Sequence, residues 1–386
     1  MDNVFDITSY GAIADGKTDC TKAIQNAIDD ASKVKGAVVV PPGEYLCGYI
    51  KLAPSISFLG YHGWGYRERG GSVLLLNDEK AKCLLDMTGA HGSTINGIQF
   101  LGNKLMGENV HGILVDWNEY NGGRFDDYTD DNPLLEPTHR NTCGDNHFFR
   151  EDNFIIADCQ CKNFSGDGIH LNHIFAFTIC DCELMSNGRD GIHINGWDGW
   201  IHDCVIHTNN GAGIGSYDQD GDHGECCKSI TITGNRIEWN HNGGIFIQEG
   251  DSLNINNNFF DRSGGPAIKF KRKKFLSAFE QDGISDITIT GNIFRRSGKD
   301  NGQSYENKYD DSHIYLENCS NMTVTGNVCV LGQDDGGIGT YNPSYSFVVK
   351  NSSDCVILGN AMKRGHTKRG IIAENNDNVI IKDNIE

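Results

Sequence analysis

The sequence predicts an all-β, single-domain right-handed parallel β-helix (a solenoid) over residues 1–386, with an N-terminal capping helix. Three observations carry this expectation: a strand-turn-strand unit that recurs along the chain, 48 glycines against 7 prolines, and an apolar-polar alternation of period two within each unit.

One unit reads as a short strand ending near Asn or Asp, a turn, then Gly-Ile and a second short strand. It recurs as ITITGNRIEWNHNGGIFIQ from Ile230, LNINNNFFDRSGGPAIKFK from Leu253, ITITGNIFRRSG from Ile287, MTVTGNVCVLGQDDGGIGTY from Met322 and VILGNAMKRGHTKRGIIAE from Val356. Asp158, Asp181 and Asp203 are spaced by 23 and 22 residues, and Asn235 to Asn258 by 23. From Asn258 through Asn292 and Asn327 to Asn360 the steps are 34, 35 and 33. The short step is a bare coil and the long one the same coil carrying a loop of about ten residues on one face. The turn Asp or Asn is expected to take a left-handed backbone while its side chain bonds the next coil. Helices do not follow such a pattern.

At the N-terminus, residues 1–52 read as a cap region: a strand, a turn, and then a helix with Thr18 as its cap. Ala23, Ile24, Ala27, Ile28 and Ala31 fall on one face of that helix. Such a helix would shield the unpaired strand edges at the open end of a solenoid. Residues 117–150 and 217–229 are too long and irregular for bare coils and read as loops inserted beside the groove.

The formal charge of -19 argues against a nucleic-acid partner, because polyphosphates are repelled. No apolar run is long enough to span a bilayer. Residues 1–20 lack the basic start and apolar core of a signal peptide, so the expected location is cytoplasmic, or secreted with that peptide already removed. Of 14 cysteines, Cys159, Cys182 and Cys204 recur at coil spacing and read as a reduced, buried ladder. Cys159/Cys161, Cys180/Cys182 and Cys226/Cys227 lack the CxxC pairing of structural zinc.

If the coils stack in register, the outward positions of the Gly-Ile strands form columns about 4.8 Å apart. The residue two before each Ile runs His111, Asp167, Asp190, Ala212, Gly243, Pro266; the residue after it Leu114, His170, His193, Gly215, Phe246, Lys269, Tyr315. Two further on stand Asp116, Asn172, Asn195, Tyr217, Gln248, Lys271 and Glu317. Titratable groups therefore gather in the elements Gly-Asp-Gly-Ile-His-Leu-Asn and Arg-Asp-Gly-Ile-His-Ile-Asn. Two carboxylates one coil apart would push their pKa values apart, which gives an acid and a base for glycosidic cleavage. Asp-Gly is also an ordinary turn dipeptide, so the bland reading of Asp167 alone is a turn former. The pattern in two successive coils favours function.

The candidate catalytic residues are Asp190 and Asp167, with Asp198 as a third acid. Candidate sugar-binding residues are His170, His193, Asn172, Asn195, Asp116, Trp117, Trp197, Trp200, Tyr217, Gln248, Glu249 and Lys269. Aromatic rings and carboxylates in the loop from Trp117 suit a wall that stacks on sugar rings. No cofactor is expected, although the spacing of Asp218, Asp220 and Asp222 would admit calcium.

Tyr10-Gly-Ala, Asp15-Gly-Lys-Thr-Asp-Cys-Thr-Lys-Ala-Ile and Val39-Val-Pro-Pro-Gly-Glu-Tyr together resemble the opening of the pectate-lyase-like β-helix superfamily. That superfamily includes polygalacturonases, tailspike depolymerases and inulin fructotransferases. Where polygalacturonases carry Asn-Thr-Asp, Asp-Asp, Gly-His-Gly and Arg-Ile-Lys, this chain has Ser165-Gly-Asp167, Arg189-Asp190, Gly211-Ala-Gly213 and Phe246-Ile-Gln248. Two aspartates match; the His and the uronate-binding Arg and Lys do not. The resemblance thus implies cleavage of a neutral oligo- or polysaccharide by a glycoside hydrolase or intramolecular transglycosylase. Asp190 followed by Asp198 is similar to the acid arrangement of the fructotransferases, whose trimers imply a homotrimer here. The alternatives are a polysaccharide lyase or epimerase, and a phage tailspike or adhesin that binds glycan without cleaving it.

Overall fold

The computed structural model describes residues 3–117, 152–217, 227–272, 283–298, 308–332 and 336–386. The chain divides into two compact units, residues 1–183 with 196–199, and residues 184–195 with 200–386.

The first unit is a stack of parallel strands with one helix. Val4–Asp6 pairs with Ala37–Val39, which pairs in turn with Ser57–Leu59, Thr94–Asn96 and Phe154–Ala157. A second sheet runs from Gly43–Cys47 through Ser72–Leu76 and Ile98–Leu101 to Gln160–Lys162. The helix Thr21–Ser32 buries Ile24, Ala27, Ile28 and Ala31, as the spacing predicts, and packs against the first coil strands. Thr18 is not its cap. Its hydroxyl is taken by Asp15 Oδ2 at 2.8 Å within the strand Asp15–Asp19, and Cys20 occupies the N-cap with no side-chain bond to the helix. Asp19 Oδ1 instead accepts the Thr21 amide at 2.8 Å.

The second unit repeats one apolar position per coil. Ile192 lies in register with Ile214, Ile214 with Ile245, Ile245 with Ile268, Ile268 with Ile314, Ile314 with Phe347, and Phe347 with Ile371. Each is buried, and burying such a side chain contributes about 1.5–3 kcal/mol.

At the facing turn an asparagine ladder ties coil to coil. Asn258 Oδ1 accepts from the Asn235 amide and from Asn235 Nδ2, both at 3.0 Å, and the pattern passes through Asn292, Asn327 and Asn360 to Asn384. The sequence-based register is off by one residue here. Asp158, Asp181 and Asp203 do take the left-handed backbone (φ 50, 54 and 55), but in the asparagine coils that conformation falls on the preceding residue, such as Gly234 or Asn257. The ladder slot before Asn235 is therefore held by Cys204, whose amide donates to Asn235 Oδ1 at 2.9 Å. Cys159, Cys182 and Cys204 are buried free thiols, each donating to the carbonyl two residues earlier.

Candidate active site

In the first unit, strand His111–Asp116 pairs with strand Ile169–Cys180 so that Leu114 lies beside His170 and Asp116 beside Asn172. Asn172 Nδ2 donates to Asp116 Oδ1 at 3.0 Å. Asp167, in the turn before Ile169, is fully buried. His170 Nδ1 sits 2.8 Å from its Oδ2, and this is the distance of a donated N–H. His111 Nδ1 lies 3.2 Å from the same oxygen and accepts the Asp167 amide at 3.0 Å. The two imidazole rings are tilted against each other with centroids 4.4 Å apart.

Burial acts to raise the Asp167 carboxyl, but the two imidazoles beside it outweigh burial and hold the group well below the usual carboxylate range; the donated hydrogen bond comes from His170, since His111 Nδ1 is occupied by the Asp167 amide. The expectation that one acid of the pair is raised is thus not met at Asp167, which stays ionised. Nδ1 of His170 faces the carboxylate, and the side chain keeps 16% exposure. His111 went unnoticed among the candidates because the element His111-Gly-Ile puts a histidine where the next coil has the aspartate.

Trp117 Nε1 donates to Asp152 Oδ1 at 3.1 Å, and the Phe175 amide donates to Asp152 Oδ2 at 3.0 Å. Burial pushes the Asp152 carboxyl up to about 7, against the lowering effect of both donors. Between about pH 4 and 7 the folded chain then keeps a proton that the unfolded chain has released, so this group's stabilising contribution declines as pH rises through that window. Thermal melts between about pH 5 and 8 are expected to show a flatter slope for Asp152→Asn than for the parent; an equal slope would show that Asp152 does not titrate in that window.

In the second unit three donors converge on Asp190, again fully buried. Oδ1 accepts the Ala212 amide at 2.6 Å and the Tyr217 hydroxyl at 2.8 Å; Oδ2 faces His193 Nδ1 at 2.8 Å. Gly211 and Gly215 leave the space for this carboxylate, since a Cβ on either would come within 2.1 Å of an Asp190 oxygen. The Tyr217 ring meets His193 edge-on at 5.6 Å and stacks on Phe246 at 4.6 Å. Lys269 Nζ lies 4.9 Å above the Phe246 ring and 3.2 Å from Asp310 Oδ1, so its charge is already matched. His193 is 1% exposed and Asn195 is buried, leaving Tyr217 as the outward member. The amide of Gln248 donates to the Ser216 carbonyl at 2.9 Å, and the Glu249 carbonyl accepts the Cys227 amide at 3.2 Å.

Trp197 and Asp198 lie on the bend of strand Ile192–His202, Asp198 exposed with φ 53. Trp200 does not join the Asp190 cluster. It pairs with Thr231 whereas His193 pairs with Gly215, so the two occupy different columns, and its ring is 58% exposed. Asp218, Asp220 and Asp222, the calcium candidates, lie outside the described residues. His111, Asp167 and His170 could together hold a cation, but their facing atoms are engaged with one another and with the Asp167 amide.

The family described as right handed beta helix region matches residues 167–328 and 223–385, and one described as rhamnogalacturonase A/epimerase, pectate lyase-like, matches residues 4–61. Among solved structures, the mannuronan C-5 epimerase AlgE6 A-module of Azotobacter vinelandii is similar with a TM-score of 0.63 at 16% identity, covering 99% of this chain and 98% of that one. The tailspike protein of E. coli bacteriophage HK620, in complex with a hexasaccharide, is similar with a TM-score of 0.64 at 11% identity, covering 99% of this chain and 66% of that one. The Agl-KA catalytic domain is similar with a TM-score of 0.51 at 12% identity, covering 99% and 69%. No curated protein sequence matches. At these identities the likeness is one of fold.

Proposed function

We propose that this chain, which belongs to the right handed beta helix family, is a carbohydrate-active enzyme that cleaves glycosidic bonds of a neutral oligo- or polysaccharide, as a hydrolase or intramolecular transglycosylase. The observation that carries this reading is the pairing of a buried aspartate with an imidazole Nδ1 at 2.8 Å, found once in each unit. A carboxylate so placed fixes the ring and its tautomer and stabilises the imidazolium that forms during proton transfer.

In this reading Asp167 and Asp190 remain the essential acids but work from behind their histidines, since neither reaches the surface. His170, the exposed member, transfers the proton. In the first unit Asn172 and Asp116 offer amide and carboxylate groups to sugar hydroxyls; in the second Tyr217 offers a phenol. A neutral substrate follows from the charge of -19 and from Lys269 being matched by Asp310. A homotrimer, as in the fructotransferases, belongs to the same proposal.

A second reading is favoured by the same imidazole: a histidine base can also abstract the proton beside a uronate carboxylate, as a lyase or epimerase requires. One screen separates them. The chain is incubated with dextran, xylan, galactomannan, inulin, alginate and polygalacturonate, and new reducing ends, cyclic products, unsaturated ultraviolet-absorbing products, epimerised uronate (by NMR) and retardation in glycan-containing gels are measured. Reducing ends or cyclic products from a neutral glycan support cleavage; unsaturated or epimerised uronate overturns it in favour of the second reading. Binding with no product of any kind leaves the adhesin or tailspike role.

A further inference from the structure

A second cluster of exposed rings lies on the turns of the second unit that lead into the strands Gly243–Ile247 and Ile268–Lys271, which carry Phe246 and Lys269. Glu238 is in register with Asp261, and Asp261 with Arg295. The residues that follow them, Trp239, Arg262 and Arg296, therefore take the same turn position in successive coils. All three have a left-handed backbone, with φ 59, 53 and 55. Glycine and asparagine accept that conformation readily, and a bulky ring is least at home in it.

Trp239 stands there with half of its surface in solvent, 50% exposed. The Arg262 guanidinium lies 4.4 Å over its ring and 5.8 Å from the ring of Tyr341, itself 40% exposed. Beneath them Asp261 receives both Arg295 and Arg296, which fixes the base of the stack. A stack serving only to fasten coils would gain more by burying its rings, as Phe260 and Phe294 do at 5.1 Å in the same coils.

We propose that Trp239 and Tyr341, with Arg262 between them, form an outlying sugar-binding subsite that seats a pyranose ring of a long glycan away from the bond acted upon. The apolar face of the ring would stack on the indole or the phenol, while the planar guanidinium donates to neighbouring hydroxyls. The subsite lies on the coils that carry Phe246 and Lys269. It rests on the functional reading above for its ligand class, and it makes the natural substrate a polymer rather than a short oligosaccharide.

Trp239→Asn separates binding from folding, because asparagine suits the left-handed turn. The mobility of parent and variant is compared in gels containing dextran, xylan, galactomannan, inulin or alginate, alongside thermal melts. On the glycan the parent cleaves, kcat/KM is measured for the polymer and for the shortest oligosaccharide turned over. The expected result is about tenfold weaker retardation and about tenfold lower kcat/KM on polymer for Trp239→Asn, with the short substrate and thermal midpoint held. Unchanged polymer affinity, an equal loss on both substrates, a lower midpoint as the sole change, or a parent retarded by none of the gels would each overturn the subsite. If the parent turns over no glycan, the functional reading fails, and retardation of the parent but not of Trp239→Asn still upholds the subsite.

Discussion

Replacing His170 with alanine is expected to lower turnover by about 10²–10⁴-fold, the scale of general acid-base catalysis, and to lower the melting midpoint as well, because buried Asp167 loses a donor. His170 keeps 16% exposure and its Nδ1 is anchored on Asp167 at 2.8 Å, so its removal deletes the proton carrier while the strand Ile169–Cys180 keeps its register. Added imidazole should restore part of the rate. Full activity in the variant would remove His170 from the mechanism. Asp190→Asn is the companion test. Its carboxylate receives the Ala212 amide, the Tyr217 hydroxyl and His193 Nδ1, and an asparagine must turn an NH2 group against at least one of these donors. A loss of about 10³-fold or more is expected with fold intact; equal activity at all pH values would sink the essential role of Asp190.

The largest effect on stability is expected at the asparagine ladder. Asn292 Oδ1 accepts from the Asn258 amide at 2.9 Å, and its Nδ2 donates to the Ile255 carbonyl at 3.0 Å. Alanine there would leave a buried N–H and a buried C=O without partners. Each such loss costs about 1–3 kcal/mol, so Asn292→Ala should destabilise by about 2–6 kcal/mol. Urea unfolding measures this directly. A change below about 1 kcal/mol would show that the ladder contributes order but little energy.

The fold was legible because each coil repeats one apolar Ile, and a period of this kind survives variation everywhere else in the chain. The elements around Asp167 and Asp190 were legible for the same reason: two copies of Asp-Gly-Ile-His stand out against a background of turns. Their division of labour was not. Asp190 receives the Tyr217 hydroxyl from 27 residues later, and no local pattern announces that contact. The ladder register slipped by one because Asp203 and Asn235 are both turn formers, yet only the backbone shows which of two adjacent residues turns left. Trp200 was drawn to the site by proximity in sequence, whereas its strand runs on past the bend into another column.

The buried cysteines carry a consequence for handling the protein. Burial pushes the Cys227 and Cys329 thiols up to about 12, and those of Cys47, Cys161 and Cys319 higher still. Only the thiolate is nucleophilic, so alkylating reagents and mild oxidants should leave these groups untouched while their coils stay closed. Because the thiols are distributed along both units, timed alkylation followed by peptide mass spectrometry would read the opening of individual coils. Each coil that carries a buried thiol thus holds a silent tag that becomes visible when that coil comes apart.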